Sequence, residues 1–188
     1  MNSLNKFISL CFILISFSIK AQTVIGDVSL PGSIELESGK LSLNGGGIRE
    51  KLWIDLYVGG LYLRNKSSDA NAIINSDEAM SIYIEIVSTL ITSEKMIAAV
   101  DEGFVKSTKG NVSQFEKEIQ SFKSAFSEPI TKNDIYKINY EPEKGIVVLK
   151  NEKLKASING HEFKKALFGI WLCEEPADED LKEGMLGN

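Results

Sequence analysis

Apolar and polar residues alternate through the first part of this chain and again near its end, and between them the spacing becomes helical. Residues 33–36 and 40–43 read as a short hairpin around Ser38-Gly39. A long strand segment follows over 49–63. From Ile48 to Val58 the alternation places Leu52, Ile54, Leu56 and Val58 on one face and Arg49, Lys51, Trp53, Asp55 and Tyr57 on the other. Residues 69–75 suit a short helix. Ile82, Ile84 and Ile86 give a further strand one inward face over 81–87.

Two amphipathic helices are predicted next. Thr92 or Ser93 can cap the first, whose stripe is Met96, Ile97, Val100 and Phe104. Ser113-Gln114-Phe115-Glu116 has the capping-box pattern for the second, with Phe115, Ile119, Phe122 and Phe126 on one side and Pro129 as its stop. Strands return at 135–140, 145–150 and 154–158. Phe163, Ala166, Leu167, Ile170 and Trp171 then define a helix buried on one side, and Asp178 can cap a short final helix through Met185. Strands, two helices, strands and two helices imply an α+β domain with an antiparallel sheet.

The alternation gathers candidate chemistry on one face of the long strand segment. Arg49, Trp53 and Tyr57 share it, and a guanidinium beside a phenol and an aromatic wall suits an amphipathic acid, because arginine pairs with carboxylate through two parallel hydrogen bonds. The same pattern also fits a strand with one solvated face.

The amino terminus changes the compartment. Lys6 precedes a mostly apolar run over 7–19, and Lys20-Ala21-Gln22 ends it with a small residue, as in a secretory signal peptide cleaved after Ala21. The run is shorter than the roughly 20 residues a spanning helix needs. Cys11 lies inside the run and not at its end, which argues against a lipid-attachment cysteine. The expectation is residues 1–21 as signal and 22–188 as one domain, periplasmic or secreted, with no stable membrane insertion after cleavage. Removal takes two of the 21 basic residues and none of the 26 acidic ones, so the remainder carries 19 − 26 = −7, a poor match for nucleic acid. Cys173 is its only thiol, so packing and not a disulfide must hold the domain.

Other chemistries find little support. His161 has no second histidine for a zinc pair, and Glu35, Glu37, Asp77 and Glu78 lack metal-loop spacing. There is no Gly-x-Ser-x-Gly elbow. Gly45-Gly46-Gly47 lacks dinucleotide-loop spacing and reads as a turn or bulge that lets the chain approach a neighbour. No cofactor and no metal is expected.

The run Leu43 to Leu63, with its glycines, Arg49 and Gly60-Leu61-Tyr62-Leu63, together with Ala166-Leu167-Phe168-Gly169-Ile170-Trp171-Leu172 and the stretch Pro176 to Gly187, resembles the bacterial, exported branch of the chalcone isomerase-like family. The resemblance implies an open-faced β-sandwich, a large antiparallel sheet layered with helices, with a ligand cleft between them. It implies that Arg49 matches the strand arginine that sits by the substrate in plant enzymes and holds a carboxylate in fatty-acid-binding members. Tyr57 falls near a threonine of the plant enzymes. Where those enzymes place tyrosine and asparagine on the first long helix this chain has Lys95 and Glu102, and Ile170 stands near the hydroxyl residue of a later helix.

Only the arginine of the catalytic set remains, and ring closure of an enone must stabilise developing oxyanion charge. The resulting expectation is a non-catalytic binder of a fatty acid or similar apolar carboxylate, with Arg49 and Tyr57 holding the acid and Trp53 lining the entrance. The alternatives are an intramolecular lyase or isomerase acting on an enone-like substrate, and an envelope interaction module with a collapsed cleft.

Overall fold

The alternating segments become strands of one antiparallel sheet, and the helically spaced segments pack on it. The computed structural model describes residues 22–188; the segment 1–21, read above as a signal peptide, lies outside the described residues. A small ribbon of β1 (Thr23–Ile25) and β2 (Val28–Leu30) comes first. The main sheet follows as β3 (Ser33–Leu36), β4 (Gly39–Lys51), β5 (Ile54–Leu63), β6 (Met80–Ile86), β7 (Ile135–Glu141), β8 (Gly145–Lys150) and β9 (Lys153–Ile158). These seven strands pair in chain order, every neighbour antiparallel. Helix α1 (Ala70–Asn75) links β5 to β6, α2 (Ser93–Ser107) and α3 (Glu116–Ser124) link β6 to β7, and α4 (His161–Leu172) and α5 (Glu179–Leu186) close the chain.

Period-two alternation sorts β5 between two cores. Tyr57, Leu61 and Leu63 face the helices with Ile82, Ile84 and Ile86 of β6, while Val58 and Tyr62 face the opposite side beneath Val28 and Leu30 of the small ribbon. Phe104 of α2, fully buried, stacks on Phe163 of α4 at 5.5 Å and meets Phe122 of α3 edge-on at 6.0 Å. Burying each such ring stabilises the fold by about 2–3 kcal/mol. Helix α4 is buried almost all round rather than on one side, because the sheet, α1, α2 and α5 surround it. Its Lys164 reaches the open end of α1, where Nζ donates to the carbonyls of Ile73, Ile74 and Ser76 at 3.0, 2.9 and 2.7 Å. Lysine there satisfies carbonyls that a helix C-terminus leaves without partners.

Three local expectations need correction. The segment 49–63 is not one strand but the end of β4, a two-residue turn at Leu52-Trp53 and β5. Both turn residues adopt positive φ, 54° and 61°, the geometry of a tight hairpin that alternation alone does not reveal. The capping box at Ser113 does not form. Residues Val112–Phe115 make a 3-10 turn, so Ser113 lies inside that turn, and α3 starts at Glu116 without a side-chain cap.

Finally, Gly45-Gly46-Gly47 is strand interior, not a turn; the bulge lies one residue earlier, at Asn44. The missing side chains give α5 room to lie on the strand. A Cβ at Gly45 would overlap the Gly184 carbonyl oxygen, and one at Gly59 would come within 2.7 Å of Met185 Cε. Asn44 fastens the contact, donating to Met185 O at 2.8 Å and Ser67 O at 2.9 Å while accepting from the Ser67 amide at 2.9 Å. This close approach carries the start of α5 to the edge of the candidate site.

Candidate functional site

Beyond the glycines, β4 and β5 separate from α2 and leave a cavity of about 490 Å³, within the range of small-molecule sites. The sheet contributes Arg49, Leu56 and Tyr57, α2 contributes Met96, Val100 and Gly103, and α4 contributes Ile170 and Trp171. Gly103 and Ile170 set the depth, since a Cβ on Gly103 would lie 2.8 Å from Ile170 Cγ2. The walls are mainly apolar and the polar groups few.

Arg49 and Tyr57 are direct partners across the β4–β5 ladder. They face each other because Leu56 is left unpaired between Asp55 and Tyr57, so the register steps by one residue and turns Tyr57 toward the arginine. Tyr57 is 7% exposed, and Trp171 Nε1 donates to its oxygen at 3.0 Å. Burial pushes the Tyr57 phenol up from its usual range, with the Arg49 charge and the Trp171 hydrogen bond opposing that shift. At neutral pH it therefore keeps its proton. Its oxygen already accepts from Trp171, which leaves O–H as the donor available to the cavity.

Asp178 stands on the other side of the guanidinium. One oxygen caps α5, accepting from the Leu181 amide at 2.9 Å, and the other lies 3.6 Å from Arg49 Nη1 and 3.3 Å from the Glu50 amide. At 3.6 Å the pair is an ion contact, and Arg49 makes no side-chain hydrogen bond among the described residues. Its side chain is nonetheless only 15% exposed. Five N–H donors at the rim of an apolar cavity are thus neutralised by charge but not used up.

Of the three expected binding residues, the structure brings Arg49 and Tyr57 together and leaves Trp53 out. Trp53 sits at the hairpin tip, 90% exposed, and does not line the cavity. The alternation that would align it with Arg49 and Tyr57 ends where β4 turns, and Leu52 lines the entrance instead. The sequence pattern does not place Trp171 or Asp178 at this site. Trp171 stood in the apolar run of α4, and Asp178 was legible only as a helix cap. Among the described residues no three His, Cys, Asp or Glu side chains converge as a metal site would require, and no helix is long and apolar enough to cross a membrane.

A sequence profile of the chalcone isomerase-like family matches residues 22–187. The chain belongs to that family. The fold agrees with a solved chalcone isomerase-like neighbour, the Arabidopsis thaliana fatty-acid binding protein, at a TM-score of 0.72 and 22% identity over 88% of this chain and 96% of that one. No curated protein matches this chain significantly in sequence. Lys95, Glu102 and Ile170 all line the cavity. Glu102 pairs with Lys106 at 3.6 Å, and Lys95 Nζ donates to Leu90 O at 3.0 Å. Both belong to the cavity rim as well as to a solvated helix face.

Proposed function

We propose that this chalcone isomerase-like protein is an exported, non-catalytic binder of a fatty acid or a similar apolar carboxylate. The carrying observation is the Arg49 guanidinium, on a side chain 15% exposed and making no hydrogen bond among the described residues, across the ladder from Tyr57 and lining an apolar cavity. A carboxylate there accepts from both groups, and its chain lies along α2 and Ile170. Burying roughly ten methylenes is worth about 8 kcal/mol before the several kcal/mol lost on association, which leaves micromolar affinity within reach. That the Arabidopsis neighbour is a fatty-acid binding protein supports the same reading. Extraction of lipids from protein purified from its native host, followed by mass spectrometry, tests it: a stoichiometric apolar acid is expected, and a neutral lipid or nothing at all contradicts it.

Export rests on the apolar run before Ala21. Amino-terminal sequencing of the native protein should begin near Gln22, and an intact Met1 on soluble cellular protein would refute the signal reading.

An isomerase or lyase on an enone-like substrate is the weaker reading. Developing oxyanion charge needs several positioned donors, each worth on the order of 3 kcal/mol of barrier, and Lys95 and Glu102 form a charged rim held by their own partners. Absorbance assays with hydroxychalcones should show no protein-dependent ring closure. A module with a collapsed cleft is at odds with a cavity of this size.

A further inference from the structure

The β4–β5 hairpin projects beyond its neighbours. β3 pairs with β4 only from Gly39 to Ser42, and β6 joins β5 only from Tyr57 onward, so residues 50–56 form a two-stranded ribbon with no strand on either side. At its tip Leu52 is 77% and Trp53 90% exposed, with Ile54 and Leu90 also exposed beside them. Leu52 and Trp53 both hold positive φ, 54° and 61°, where a two-residue turn strongly favours Asn-Gly. Two bulky apolar residues there oppose both local backbone preference and solubility, and neither side chain serves the core.

We infer that this tip is a membrane-docking element: Leu52 and Trp53 enter the interfacial layer of a lipid bilayer while Lys51 and Lys95 meet lipid phosphates. The convex, projecting shape suits a deformable apolar phase better than a flat protein partner, and an indole, apolar with one N–H donor, is at home at headgroup depth. Lys51 adjoins the tip and Lys95 lines the same cavity; neither has a carboxylate within ion-pair distance among the described residues, and Lys95 Nζ, which gives one donor to Leu90 O at 3.0 Å, keeps two for a phosphate. Their stems can lie along the tip with the ammonium groups at the phosphates. Glu50 and Asp55, opposite each other across the ladder and outside the cavity lining, balance that charge. A zwitterionic phospholipid surface therefore suffices, without a requirement for anionic lipid.

Because Leu52, Ile54 and Leu90 also line the cavity entrance, docking turns that entrance toward the bilayer. The docking itself stands on the tip alone; only exchange of an acyl ligand with the membrane rests on the function proposed above.

The test uses the protein without its residues 1–21 and vesicles of phosphatidylcholine, with and without added phosphatidylglycerol. Trp53 is the exposed one of two tryptophans, Trp171 being buried, so vesicles should shift emission to the blue and acyl-brominated lipid should quench it. The double variant Leu52→Asn, Trp53→Gly installs the preferred turn pair and should remain at least as stable. Its ratio of vesicle-bound to free protein in co-sedimentation should fall at least tenfold. Arg49→Met should co-sediment like wild type, which separates failure of docking from failure of acid binding. Absence of wild-type partition to either vesicle overturns the proposal, as does equal partition of the double variant. So does a wild-type dimer in sedimentation velocity that the double variant abolishes, since the tip would then be a contact between two copies.

Discussion

Asp178 Oδ2 lies 3.6 Å from Arg49 Nη1 while its other oxygen caps α5, so the residue that starts the last helix also sets the charge at the cavity rim. An incoming carboxylate would share the guanidinium with it. Asp178→Asn keeps a capable N-cap, since asparagine caps about as well as aspartate, and removes the competing charge. Repulsion between two partly exposed carboxylates about 6 Å apart is on the order of 1 kcal/mol after screening. Fatty-acid affinity should therefore rise about fivefold, with a small loss of thermal stability. Unchanged or weaker binding in calorimetric titration would mean that Asp178 orients Arg49 and does not compete for it.

The glycine surface under α5 predicts a stability effect remote from the cavity. Gly45→Ala sets a methyl against the Gly184 backbone carbonyl, where no flexible side chain can yield. Overpacking of this kind costs about 2–3 kcal/mol or more, a fall of roughly 6 °C or more in Tm for a chain of this length. Thermal unfolding followed by circular dichroism would check this, and an unchanged midpoint would show that α5 is not seated on β4 as described.

All five tyrosines of the chain, Tyr57, Tyr62, Tyr83, Tyr136 and Tyr140, have phenols pushed up, with burial the leading cause in each. Unfolded phenols ionise near pH 10. A folded-state pKa above that value means that the unfolded chain loses protons first. The stability these phenols contribute is fully present below about pH 10 and is lost as pH rises beyond it toward the folded values. Phenolate absorbance should accordingly appear together with loss of far-ultraviolet circular dichroism. Titration of the tyrosines near pH 10 with the fold intact would contradict the packing of both sheet faces.

Much of this arrangement was legible in the residues, though not always for the reason that alternation suggests. Ile82, Ile84 and Ile86 form an inward face, and the strands at 145–150 and the caps at Thr92 and Asp178 lie where spacing put them. Arg49 and Tyr57 share a face, but through the unpaired Leu56 and the register step, not through one continuous strand. A hairpin turn built from Leu-Trp carries none of the usual Gly or Asn signals, which is why Trp53 looked like a cavity residue and is a tip residue. The Trp171 and Asp178 contacts depend on α4 and α5 meeting β4 and β5 more than a hundred residues away, and no local pattern records such a meeting. Asp178 reaches its position only because three glycines in β4 let α5 settle onto the strand.

On the function proposed, Arg49 anchors a carboxylate. Arg49→Met retains much of the stem packing and removes the charge. Isothermal titration of wild type and Arg49→Met, each with a free fatty acid and with its methyl ester, isolates the contribution of the guanidinium. Wild type should prefer the acid, and the variant should bind the acid at least tenfold more weakly, a loss of about 1.4 kcal/mol, while the ester is bound alike by both proteins. Equal affinities in all four combinations would show that the guanidinium takes no part in holding the ligand.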